Sequence, residues 1–127
     1  MVTDIINKIR KSLMEFSGSG NQYSLLMLMP EQPHNMESQF GLLLSATWLN
    51  TLPYHETLKK LIELLRRKLS WEEYRKIENI YLVHTDDPIV KNMTRLYQVN
   101  NGLVNVSNIQ MGETKIDHAI ILDSAVQ

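Results

Sequence analysis

The sequence predicts an α+β protein in which helices pack on a mixed, about five-stranded β-sheet, in the order α-β-β-α-α-β-α-β-β. Three observations predict it. Two nearly unbroken apolar runs, residues 23–29 and 40–49, are separated by a stretch containing two prolines. Leucines recur at helical spacing between residues 58 and 69. Two further apolar segments lie on either side of Gly112 near the end of the chain. At 127 residues the chain is expected to form one domain, 1–127.

Residues 3–16 read as an amphipathic helix. Thr3 or Asp4 can cap it, and Ile5, Ile6, Ile9, Leu13 and Phe16 form its apolar stripe. Ser17, Gly18, Ser19, Gly20 and Asn21 end it. Residues 23–29 form a strand stopped by Pro30, and residues 30–38, with Pro33, His34 and Asn35, form a loop. Residues 40–49 read as a second strand. Both strands are expected to be buried on both faces and joined as a wide hairpin. A helix over 40–49 is the alternative that its leucines allow.

Pro53 suits a first helical position, and Leu58, Leu61, Ile62, Leu65 and Leu69 supply the apolar stripe that follows. Ser70-Trp71-Glu72-Glu73 matches a capping box, so the helix should break and restart there, with Trp71, Tyr74 and Ile77 inward. Residues 80–83 form a short apolar strand. Asp86 or Asp87 can cap the next helix, Pro88 takes its first position, and Ile89, Val90, Met93, Leu96 and Tyr97 line one side. Asn100-Asn101-Gly102 is a left-handed stop. Residues 103–109 and 116–122 give two more strands with Gly112 in the turn. Helical connections favour parallel pairs and short loops antiparallel ones.

The formal net charge is −1, which argues against a strongly basic nucleic-acid coat or a strongly acidic mimic. The absence of cysteine excludes disulfides, thiolate metal sites and cysteine nucleophiles. The first turns are charged and carry no secretory-type apolar core, and no apolar run approaches membrane-spanning length. A cytoplasmic protein with no membrane partner is the expectation. No GxGxxG, P-loop or GxSxG pattern occurs, so no cofactor is expected.

Five constellations bear on chemistry. His84-Thr85-Asp86-Asp87 ends a strand and begins a helix. There the carboxylates could hold a hard divalent cation and His84 could act as a base. Helix capping is the simpler reading of Asp before Pro, worth about 0.5–2 kcal/mol. His118 in the last strand would join that site if the two strands were neighbours. Strand alternation places Asp117 with Ala119 and Ile116 with His118. His55-Glu56 lacks the second histidine of a zinc helix, and His34 has no visible partner. Glu113-Thr114-Lys115 has the Glu-x-Lys spacing of one class of metal-dependent nucleases, but falls in a turn.

The fifth constellation is basic. Lys59, Lys60, Arg66, Arg67, Lys68, Arg75 and Lys76 supply 7 of the 13 Lys and Arg residues. Residues 59–68 carry five bases against Glu63 alone, a sum of +4, whereas residues 79–127 carry three bases against five acids, a sum of −2. Such asymmetry suits steered docking. Within residues 59–68 no aromatic residue is interleaved with the bases, which weakens a single-strand nucleic-acid reading. Of the seven methionines, Met36 and Met111 fall in expected loops and would suit an adaptable binding surface.

Three function classes follow as expectations. The first is a non-enzymatic protein-binding domain, concretely a small immunity protein or inhibitor that neutralises a toxin or enzyme. Its contacts would lie at Lys59, Lys60, Arg66, Arg67 and Lys68. The second is a metal-dependent hydrolase or nuclease using His84, Asp86, Asp87 and His118. The third is a nucleic-acid-binding protein acting through residues 59–76.

Overall fold

A computed structural model describes residues 2–18, 21–30, 39–111 and 114–125. The elements are α1 (Val2–Ser17), β1 (Leu25–Pro30), β2 (Phe40–Ser45), α2 (Tyr54–Lys68), α3 (Trp71–Tyr74), β3 (Ile77–Leu82), α4 (Pro88–Leu96), β4 (Val104–Met111) and β5 (Thr114–Ser124). The order is the expected one, and the strands form a single mixed sheet, β3-β2-β1-β5-β4. His34, Met36, Gly112 and Glu113 lie outside the described residues.

The pairings follow from the connections. β1 and β2 are an antiparallel hairpin, registered from Leu25 opposite Ser45 to Pro30 opposite Phe40. β3 lies parallel to β2, as a crossover through α2 and α3 requires. β5 sits between β1 and β4, antiparallel to both. α4 therefore links the two edge strands.

Alternation along the central strands explains why their sequences are apolar throughout. Leu26, Leu28, Leu42, Leu44, Ile120 and Leu122 point to one face, against Ile5, Ile6, Ile9 and Leu13 of α1 and Leu61 and Leu65 of α2. Leu25, Met27, Leu43, Ala119 and Ile121 point to the other, against Val90 and Met93 of α4. Both faces are covered, so neither strand shows a polar side. The nine-residue α4 leaves the far end of its face open, as a shallow cleft of about 410 Å³ that includes Met29, Gly41, Leu43 and Tyr81. A Cβ on Gly41 would stand 3.1 Å from the Tyr81 ring, so glycine is what lets that ring lie across β2.

Four expectations need correction. The second strand stops at Ser45, and residues 47–52 turn. The Ala46 carbonyl accepts from both Leu49 and Asn50, which closes those turns. The third strand begins at Ile77 rather than Ile80, because the capping box at Ser70 opens only one helical turn before Arg75 ends it. As an edge strand β3 is half-exposed. Trp71, expected inward, is 68% exposed. Ile116, expected on the face of His118, packs with Ala119 and Ile121. Asn108, with φ of +54° between Ser107 and Ile109, interrupts simple alternation in the β4–β5 pair.

Candidate functional site

The segment 84–87 spends most of its polar atoms within the chain. Asp87 is the N-cap of α4, and its Oδ1 accepts from the Ile89 amide at 3.0 Å. His84 Nδ1 accepts from the Asp86 amide at 3.0 Å, which requires a lone pair on that nitrogen. The 3.6 Å approach of the same nitrogen to the Asp86 carboxylate is therefore not an ion pair while the ring is neutral. Asp86 is exposed and faces Lys91 at 3.9 Å. Thr85 is held by both ends of the Asn50 amide, at 2.7 and 3.1 Å.

His118 does not join them. It lies within β5, opposite Ser107 of β4. Strands β2 and β1 separate β5 from β3, so roughly three inter-strand spacings of about 4.8 Å divide the strand of His118 from the strand that leads to His84. Among the described residues, no group of three or more His, Asp or Glu side chains is placed to hold a metal ion. His55 stands exposed in the first turn of α2, with its ring edge-on to Tyr54 at 5.4 Å.

The basic helix is different. Leu61, Leu64 and Leu65 bury one side of α2. The 100° step per residue then places Lys59, Lys60, Glu63, Arg66 and Arg67 on a single outward arc, and all five are exposed. Lys68 lies off this arc and pairs with Glu15 of α1 at 3.1 Å. Beyond the helix, the capping box turns the chain sharply. Ser70 Oγ accepts from the Glu73 amide, and the Glu73 carboxylate accepts from the Ser70 amide at 2.9 Å. Glu73 also takes Lys8 Nζ at 3.0 Å, which ties α3 to α1. These donors, the Ser70 amide first and Lys8 next, hold the Glu73 carboxyl below its ordinary value.

That turn brings two aromatic rings beside the basic arc. Trp71 and Tyr74 stand 6.3 Å apart, and the Arg66 guanidinium lies 6.0 Å from the Tyr74 ring centre. Trp71 and Tyr74, which follow the basic run 59–68 in sequence, thus also stand beside it in space. Spacing alone could not show this, since four helical residues have too little periodicity to assign an inner face. The one available signal was the capping box, which forces the direction change.

Comparison with protein-family models, with curated proteins and with solved structures returns no match for this chain. Among the described residues no helix is long and apolar enough to cross a membrane.

Proposed function

We propose that this chain is a non-enzymatic protein-binding domain, in its most concrete form a small immunity-type inhibitor that neutralises a toxin or enzyme. It docks through the corner made by the outward arc of α2 and by α3. One observation carries the reading: a tryptophan 68% exposed, beside a tyrosine that an arginine in turn faces, on a corner fixed by a two-way cap. Trp, Tyr and Arg are the residues most enriched among those that dominate protein interfaces. Lys59, Lys60, Arg66 and Arg67 around them favour a partner with an acidic surface, because rim charges of one sign speed encounter with the other.

The test replaces Trp71 by a photoreactive phenylalanine analogue in the cells that make the protein. One discrete crosslinked partner is expected, with an acidic patch at the crosslinked site. Reversing Arg66 and Arg67 to Glu should cut its yield about tenfold, which corresponds to about 1.4 kcal/mol. A crosslink that survives the reversal, or none at this position, contradicts the reading.

The nucleic-acid alternative has one observation in its favour, the placement of Trp71 and Tyr74 beside the bases. Against it, the seven cations of residues 54–76 are interspersed with four carboxylates, Glu56, Glu63, Glu72 and Glu73. It requires that the unmodified chain retard a single-stranded oligonucleotide at low salt and release it steeply as salt rises.

A further inference from the structure

A cleft of about 460 Å³ lies away from the α2–α3 corner, where the C-terminal half of α1 meets the end of β5 and residues 99–101. That volume is within the ordinary range of small-molecule sites. Leu13, Tyr23, Leu26 and Val99 give it an apolar lining. Tyr23 is buried, and its hydroxyl donates to the Leu13 carbonyl at 2.7 Å. Burial pushes the Tyr23 hydroxyl well above its ordinary pKa, so the ring stays neutral across the physiological range.

The polar side of the cleft is built around Asn101. Its backbone is left-handed, with φ of +49°, a conformation that asparagine tolerates better than most residues. In that conformation its side-chain oxygen accepts from Arg10 Nη1 at 2.8 Å, while its backbone amide donates to Asp123 Oδ1 at 2.8 Å. Arg10 also donates to the Gly102 carbonyl. The wall behind is held by backbone hydrogen bonds. Val99 and Ser124 exchange both backbone hydrogen bonds at 2.9 Å, and the Gly102 amide reaches the Leu122 carbonyl at 3.0 Å. Glycine at 102 avoids a close contact, since a Cβ there would stand 2.9 Å from the Val99 side chain, which would have to shift.

A cation and a carboxylate thus flank one residue at the mouth of one cleft. Both are half-buried, yet they form no ion pair with each other. Charges so placed ordinarily pair, because partial desolvation makes an unpaired charge costly. Arg10 uses two of its five N–H donors on this wall, and Asp123 Oδ2 takes no hydrogen bond from the described residues. We infer that this cleft binds a zwitterionic α-amino acid or short peptide with an apolar side chain. The ligand carboxylate meets Arg10, its ammonium meets Asp123, and the side chain rests on the exposed Met14 beside Val99. An α-amino acid carries both complementary charges on one carbon, and Arg10 and Asp123 are both hydrogen-bonded to Asn101. This site is independent of the docking surface on α2 and α3.

The test is an amide-proton NMR titration of the whole chain with L-leucine, and with the dipeptide Leu-Leu as a separate arm. N-acetyl-leucine, which lacks the ammonium, and leucinamide, which lacks the carboxylate, serve as controls. Saturable shifts are expected at the Asn101 and Asp123 amides with L-leucine or Leu-Leu, and at least about tenfold weaker binding of both blocked compounds. Asp123→Asn keeps an acceptor for the Asn101 amide, so it should fold normally and lose its preference for leucine over N-acetyl-leucine. Arg10→Gln should lose the preference over leucinamide. Shifts of equal size with the blocked compounds, shifts confined to other regions, or none at millimolar concentrations would overturn the assignment.

Discussion

The segment 84–87 and the corner at 66–74 look alike in sequence, since each is a short run of charged residues beside an apolar element. In the folded chain they are opposites. At 84–87 the backbone consumes the side chains. Asp87 caps α4, His84 accepts an amide, and Asn50 holds Thr85. At 66–74 the backbone is satisfied by Ser70 and Glu73 alone, which leaves Trp71, Arg67 and most of Arg66 facing outward. A polar or aromatic residue is available for function only when the local chain has no use for it.

The largest expected effect tests what the corner rests on. Leu65→Ala removes a fully buried side chain beneath α2 and should cost about 2–5 kcal/mol in urea unfolding. Capture of the partner should fall with it. A loss below about 1 kcal/mol would mean that α2 is less firmly seated than its burial implies.

Next in size are the two caps. Asp87→Ala should cost about 1 kcal/mol by loss of the Ile89 contact, whereas Asp86→Asn, at an exposed site, should change stability by less than about 0.5 kcal/mol. If Asp86→Asn proved the more damaging, the segment would have a use other than helix punctuation. Ser70→Ala should likewise cost about 1 kcal/mol, because it opens the reciprocal cap.

A smaller effect depends on pH. Glu73 has its carboxyl lowered on folding from an ordinary value of 4.5. A carboxyl lowered in the native state stabilises above its unfolded value, and that contribution is lost as pH falls through the folded one. Unfolding midpoints of the native chain and of Glu73→Gln should therefore differ at pH 7 and converge as pH drops below 4.5. A constant gap down to pH 2 would show that the charge of Glu73 contributes nothing to the cap.

Element order and helix ends were legible because they rest on local rules. The Ser70–Glu73 box and the Asp87 cap with Pro88 were each readable from a few adjacent residues, whereas Asn101, though left-handed, does not stop α4, which ends at Leu96 with an extended Tyr97 as its cap. Strand order was not. Insertion of β5 between β1 and β4 is a long-range pairing, and only that pairing shows that His118 and His84 belong to different parts of the sheet. The early start of β3 was hidden because Ile77, Ile80 and Leu82 fit a strand while Ile77 also completes a helical spacing from Tyr74. The joint role of Arg10, Asn101 and Asp123 was invisible for the same reason as strand order, since the three come from distant parts of the chain.

The most direct test of the account is Trp71→Ala, measured twice on one preparation. Its unfolding free energy should stay within about 0.5 kcal/mol of the native chain, because an exposed ring contributes little to folding. Its retention of the crosslink-identified partner should fall by about tenfold or more. Lost stability with unchanged retention would make Trp71 a structural residue and contradict the docking surface.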